Sequence, residues 1–357
     1  MKERFGRSEE WANFLGRKPF TIDPATAAAA IGGKTVLVTG AGGWIGSALA
    51  ASIAGFSPNH LLLLEANERS LYELDAAMQS CATRCTPILG SVTDASLLAE
   101  IFASHRPQIV FHTAAFKHVP LMERNPFAAI ENNVIGTRRL IEATVAHRAE
   151  QFVLLSTDKA VDPVSMMGAS KRIAELLLLA EMCGPTRMKA LRLGNVLGSG
   201  GSVLPLFEQQ LQAGGPLTVT HPGVRRYFLT TSDAVVLLLH VACDRSFEGV
   251  IVPELGKPHT IESLARYLIA DRPTPIVFTE LRPGDKMCEV LISENESFAD
   301  DRQDLLRAVN SPSISVAELD GILAELEQAR RDRSLSRLLE AVSRAVPEYE
   351  PSARVSA

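Results

Sequence analysis

The sequence predicts an α/β protein: a doubly wound, parallel sheet with a smaller C-terminal lobe. Three observations carry that reading. Short apolar runs alternate with longer amphipathic stretches from Lys34 onward, a glycine cluster directly follows the first run, and the alternation loosens after Leu193. Strands alternating with helices argue for a parallel sheet, whose strands are buried on both faces and read as near-continuous apolar runs. Residues 35–39 (TVLVT), 60–64 (HLLLL), 108–112 (QIVFH), 152–155 (FVLL) and 189–193 (KALRL) each fit such a strand. Residues 47–54, 126–147 and 167–182 are long enough to be helices between them. After Leu193 come a Gly-rich loop, a helix near 202–213 and mixed elements expected to cover the sheet's carboxyl edge, some returning to the core. Amphipathic runs at 316–330 and 335–346 close the chain, and 351–357 is expected to fray. The first 33 residues, charged and then Ala-rich, read as a helical or wrapping arm. The divisions are therefore 1–33, 34–193, 194–310 and 311–357.

Composition narrows the function classes. A length of 357 residues fits about two domains at roughly 150 residues each. Lys and Arg total 36 against 41 Asp and Glu, a net charge of −5, which argues against a dedicated nucleic-acid binder. Five cysteines (Cys81, Cys85, Cys183, Cys243, Cys288) are an odd set in a long chain and do not suggest a disulfide framework. Cys81 and Cys85 lack a second pair that would complete a metal site, so free thiols and no metal are expected. The longest apolar runs, such as 234–239, fall far short of the ~18 residues of a membrane span. The start, MKERFGRSEEW, lacks a secretory apolar stretch. A cytoplasmic protein without a membrane span is expected.

The glycine cluster is Thr39-Gly40-Ala41-Gly42-Gly43-Trp44-Ile45-Gly46, after a strand and before a helix. Glycines let the backbone turn sharply and approach a pyrophosphate, while the helix aims free amides and its positive dipole end at the phosphates. Glu65 closes the next strand at the place of a carboxylate that binds the adenosine ribose. A dinucleotide site of the Rossmann type is expected. Glu65 favours NAD over NADP by repelling a 2′-phosphate; Arg69 is the residue that would instead meet one.

The glycine spacing is that of extended short-chain dehydrogenase/reductases, and further motifs narrow the resemblance. They are Phe111-His112-Thr113-Ala114-Ala115-Phe116-Lys117-His118-Val119-Pro120-Leu121-Met122-Glu123, Asn133 with Gly136-Thr137, and Ser156-Thr157-Asp158-Lys159-Ala160-Val161. Met167-Gly168-Ala169-Ser170-Lys171, Arg192-Leu193-Gly194-Asn195-Val196 and Leu281-Arg282-Pro283-Gly284-Asp285-Lys286 complete the set. Over roughly residues 15–295 the chain resembles the nucleoside-diphosphate-sugar 4,6-dehydratases of bacterial polysaccharide biosynthesis, the CapD-type proteins. Met167, where most short-chain dehydrogenases carry Tyr, resembles the branch that retains configuration at C5.

Read from the residues alone, Thr157, Asp158 and Lys159 follow an apolar run and so lie at a strand's carboxyl end, where ligands bind in open α/β sheets. A carboxyl and an amine side by side offer a general acid and a general base. Lys171 falls four residues after Met167, on the same helix face. The resemblance implies a redox-neutral dehydration of a UDP-sugar, with UDP-N-acetylglucosamine the first candidate. Hydride leaves C4, Lys159 takes the C5 proton, Asp158 protonates the departing C6 hydroxyl, and hydride returns to C6. That division of labour asks burial to keep Asp158 protonated and nearby positive charge to keep Lys159 a free amine. A thioether cannot take the C4 hydroxyl proton, which must leave through Thr157, Asp158 or water.

The resemblance further implies cofactor contacts from Gly40, Gly43, Trp44, Ile45, Gly46, Glu65, Asn67, Arg69, Ser91, Val92, Ala114, Ala115 and Lys171. It implies substrate contacts from Lys117, His118, Asn195, Ser202, Arg226, Arg282 and Lys286; the cations among them suit a diphosphate. Some positions depart from the pattern: Ser91 stands for an Asp, Gly200 for an Arg, Asp285 for a Glu, and Trp44 for a small residue that would leave the pyrophosphate more room. A 4-epimerase on the same fold and a non-catalytic dinucleotide sensor are the alternatives, and a homo-oligomer formed through flanking helices or the arm is expected.

Overall fold

The structure is a computed structural model that describes residues 8–182, 184–300, 304–352 and 355. The arm holds α1 (Ser8–Leu15) and α2 (Pro24–Ile31), the latter capped by Asp23, whose carboxylate accepts from the Ala25 and Thr26 amides. The sheet then winds through β1 (Thr35–Thr39), α3 (Trp44–Ala54), β2 (His60–Glu65), α4 (Glu68–Met78), β3 (Cys85–Leu89), α5 (Ala95–His105) and β4 (Ile109–His112). Next come α6 (Val119–Arg124), α7 (Pro126–Ala129), a π-helical stretch at Ile130–Ile135, α8 (Gly136–Ala146) and β5 (Gln151–Thr157). A 3-10 turn at Asp158–Ala160 leads to α9 (Met166–Ala180) and β6 (Arg187–Leu193). The helix expected over 126–147 is therefore one run broken by a π-helical stretch. Helix α3 begins at Trp44, three residues before the expected start, because Gly43 is its N-cap.

The remaining elements are β7 (Asn195–Val196), α10 (Val203–Gln212), β8 (Leu217–Val219), β9 (Arg225–Arg226), β10 (Phe228–Leu229) and α11 (Thr231–Cys243). They are followed by β11 (Gly249–Pro253), β12 (His259–Thr260), α12 (Ile261–Ile269), β13 (Ile276–Phe278), β14 (Ser297–Phe298), β15 (Leu306–Asn310), α13 (Val316–Arg331) and α14 (Leu335–Ala345). The main sheet has the order β14-β15-β11-β6-β5-β4-β1-β2-β3, and only β15 runs against the others, antiparallel to both β11 and β14. Strand order reverses between β1 and β4, which opens the ligand crevice of a doubly wound sheet at their carboxyl ends.

A small lobe packs its own core from Leu204, Phe207, Val219, Phe228, Ile261 and Leu264, and α1 of the arm contributes Phe14 and Leu15 to it. Arg17 and the Phe20 amide bond both carboxylate oxygens of Asp233 on α11, so the arm bridges lobe and sheet. Helices α13 and α14 lie over the π-helical stretch and α9, whose residues 166–178 are all buried within one chain. In the tail, against the fraying expected there, Val355 is buried in the main core and the Ser352 hydroxyl donates to Glu123; residues 353, 354, 356 and 357 lie outside the described residues. Among the described residues Cys81, Cys85, Cys243 and Cys288 are free, no metal-binding cluster occurs, and no helix is long and apolar enough to cross a membrane. Cys183 lies outside the described residues.

Candidate active site

The loop after β1 is shaped for close approach. Gly40 has φ +64°, and a Cβ there would sit 2.7 Å from the Ala114 backbone nitrogen, so β1 and the loop after β4 meet only over a glycine. Gly43 caps α3 with no side-chain hydrogen bond, leaving the first amides of that helix for a ligand. Both Glu65 oxygens are engaged, one accepting from the Gly42 amide at 3.0 Å and the other from the Asn67 amide at 2.9 Å. Asn67 in turn caps α4. Arg69 is 86 % exposed and paired with Glu73. Ser91 spends its hydroxyl on the Thr93 hydroxyl and amide, and Val92 is buried beside Gly136. Ala114 and Ala115 are half-buried, and Ile45 packs beside the core. The Trp44 indole donates to the Thr231 hydroxyl at 2.7 Å and lies against Gly198, leaning toward the lobe.

Under the crevice, His112 is fully buried. Thr137 spends its proton on the Asn133 carbonyl, so it accepts from His112 Nε2, while Nδ1 accepts from Thr39. Burial, with the Lys171 charge beside it, lowers this imidazole to a pKa of about 3 and keeps it neutral. Asn133, on the π-helical stretch, bonds both backbone groups of Phe116 and the Ser170 hydroxyl, tying the loop after β4 to α9.

The reactive pair stands where β5 ends. The Thr157 hydroxyl donates to Asp158 Oδ1 at 3.0 Å, and Lys159 Nζ donates to the same oxygen at 2.9 Å. Asp158 is fully buried, and its Oδ2 has no hydrogen-bond partner among the described residues. Lys159 Nζ also donates to Asn195 Oδ1 at 2.9 Å. Helix α9 lies flush beneath: a Cβ on Gly168 would come within 2.2 Å of the Lys159 carbonyl oxygen. Met167 is buried in the core, and Lys171, one turn on, is buried as well, its pKa lowered by burial to about 8 against the pull of Glu175. Below the pair, Ser156 bonds Glu175, which takes two bonds from Arg192 at 2.8–2.9 Å. Burial pushes Glu175 up, yet Arg192 and Arg172 hold it at about 2.

The last segment before β14 reaches the pair from far along the chain. The Arg225 amide donates to the Met287 carbonyl at 2.8 Å, which docks this segment on β9. Glu289 is buried beside the amine, with Oε1 3.9 Å from both Lys159 Nζ and Arg226 Nε and Oε2 3.7 Å from Lys286 Nζ. The sequence reading stopped at Lys286 and missed Glu289; its only signal was its place three residues past that lysine. Arg226 and Lys286 thus gather at Glu289, whereas Arg282 is 61 % exposed and paired with Asp285. Lys117 is exposed, His118 is covered by the Gly201 backbone, and the buried Ser202 hydroxyl at the start of α10 lacks a partner among the described residues. An acid, an amine and a polar cradle converge on one crevice, which suits proton transfer on a bound anion.

Residues 36–310 match the family model described as polysaccharide biosynthesis protein. The chain is 42 % identical over 298 residues to the probable polysaccharide biosynthesis protein EpsC of Bacillus subtilis, covering 81 % of this chain and 50 % of that protein. It is 40 % identical over 297 residues to the capsular polysaccharide biosynthesis protein CapD of Staphylococcus aureus, covering 80 % and 50 %. This chain therefore spans about half the length of both relatives. A UDP-glucose 4-epimerase of Rickettsia massiliae is 33 % identical over 288 residues, covering 77 % and 82 %. In fold the chain is similar to the dTDP-glucose 4,6-dehydratase DesIV of Streptomyces venezuelae, solved with NAD bound, at a TM-score of 0.64 and 21 % identity over 84 % of this chain and 98 % of that one.

Proposed function

Because the chain belongs to the polysaccharide biosynthesis protein family, we propose that its crevice performs the 4,6-dehydration of a UDP-linked sugar, with UDP-N-acetylglucosamine the first candidate. The observation that carries this reading is the hydrogen-bonded pair at the end of β5: Asp158, buried with one oxygen unsatisfied, and Lys159, held by Asp158 and Asn195. Hydride exchange requires a bound dinucleotide, and NAD(P) fits the cradle of Gly40, Gly43 and the α3 amides, with Glu65 at the ribose and Lys171 at the reactive end. When bound, that cofactor supplies a hydride acceptor for C4 and a hydride donor for C6. Arg69 turns to Glu73, so Glu65 faces the ribose without a cation beside it, which favours NAD.

The chain's own residues do the proton work. Thr157 is hydrogen-bonded to Asp158, so the C4 hydroxyl proton passes through Thr157 to the Asp158 carboxylate. Asp158 then holds the proton that the C6 hydroxyl needs to depart as water. Lys159 takes the C5 proton once the C4 ketone acidifies it, and returns a proton to C5 after C6 is reduced. Only water is lost overall. Met167 therefore needs no proton of its own.

Incubating the full chain with UDP-N-acetylglucosamine and NAD, and following product mass, tests the reaction class. Loss of one water is expected. An unchanged mass with inverted C4 would instead make the protein a 4-epimerase, and binding without turnover would make it a sensor.

A further inference from the structure

Two buried carboxylates in this protein meet cations in contrasting ways. Glu175 is closed up: Arg192 and Ser156 bond it at 2.6–2.9 Å, as a structural ion pair should be. Glu289 is as deeply buried but loosely held, with Lys159, Arg226 and Lys286 all at 3.7–3.9 Å and Oε2 without a hydrogen bond among the described residues. An unsatisfied carboxylate beside two cations and the reactive amine is poised for a change of charge next to it.

We propose that Glu289 is a positioning residue of the dehydration site: it braces Lys159 and stabilises the ammonium that forms when that amine takes the C5 proton. The inference rests on the dehydratase reading. The groups facing Glu289 are Lys159 and Asp158 on the 3-10 turn, Arg226 on β9 and Lys286 on its own segment. Burial pushes its carboxyl up, Lys159 pulls it down, Asp158 pushes it up, and Arg226 and Lys286 pull it down; the net direction is upward. A negative group beside an amine favours its charged form, so Glu289 stabilises positive charge as it develops on Lys159. It also keeps Arg226 and Lys286 from repelling that ammonium.

The test compares the full-length wild type with Glu289→Gln and Glu289→Asp. Lys159 acylation by acetic anhydride is followed against pH, residue by residue, by mass spectrometry, and kcat and KM are measured alongside. In the Gln variant the Lys159 acylation curve should move to lower pH by about one unit, and kcat should fall about tenfold. The Asp variant, which keeps the charge but draws it back, should recover part of both; if the Gln variant does not fold, Asp alone should show the smaller shift in the same direction. A Lys159 curve that coincides in all folded variants would overturn the proposal. Wild type that never dehydrates a UDP-sugar would sink the dehydratase reading, while the acylation curves, which need no substrate, would still report on Glu289.

Discussion

Individual residues in this protein separate charge buried for stability from charge buried for chemistry. Arg192 is fully buried yet bonds Glu175, Glu296 and the Leu291 carbonyl, so its charge is matched on every side. Lys171 is buried with a lowered pKa of about 8, the mark of an amine whose ammonium form the fold tolerates at a cost. The sign follows from proton counting. Between pH 8 and 10.5 the unfolded chain binds more protons at this site than the folded one, so stability rises with pH across that window. Below pH 8 the penalty is fully present. Lys171→Met should therefore be more stable than wild type by about 3 kcal/mol at pH 7, a gain that is mostly gone by pH 10. Urea denaturation at the two pH values checks it, and a Met variant less stable at pH 7 would contradict it. The same variant should bind NAD more weakly, since a thioether cannot donate to a ribose.

At the scale of elements, α9 does most to build the site, because it carries Met167 and Lys171 and runs directly under the Asp158–Ala160 turn. That approach depends on Gly168. Gly168→Ala would press a methyl group on the Lys159 carbonyl, so helix and turn must part; a loss of about 1–3 kcal/mol and of most activity is expected. Gly321→Ala is the control: it lies on the exposed face of α13 with nothing near its Cβ and should gain up to about 1 kcal/mol of helix propensity. Thermal melts of the two variants should move in opposite directions. Elements buried on both faces were legible in the sequence: β1, β2, β4 and β5 each hold an unbroken apolar stretch, and β6 is buried although Lys189 and Arg192 interrupt it. Strand β3 was not, because it is the sheet's edge, half-exposed and interrupted by Pro87. Strand β11 is fully buried but returns to the sheet after the long lobe excursion, where no alternation frames it. The π-helical stretch was hidden because a π turn changes hydrogen bonding without changing the apolar pattern.

Across the whole molecule, the sheet order places the ends of β1, β4 and β5 on one edge, and the lobe brings β9 and the 286–289 segment down onto it. The parts of the site that are local in sequence, the glycine loop and the 157–159 turn, could be read from spacing. Glu289 could not, since it lies 130 residues from Lys159 and meets it only because β9 docks its segment there. The arm and the C-terminal helices frame this assembly from outside, one tying lobe to sheet through Asp233, the others covering α9. The role of Lys159 as the base for C5 has a direct test. Wild type and Lys159→Ala are each incubated with UDP-N-acetylglucosamine and NAD in heavy water, and deuterium at C5 of the sugar is measured by NMR. Wild type should carry deuterium at C5 and the Ala variant none; undiminished C5 exchange in the Ala variant would contradict the account.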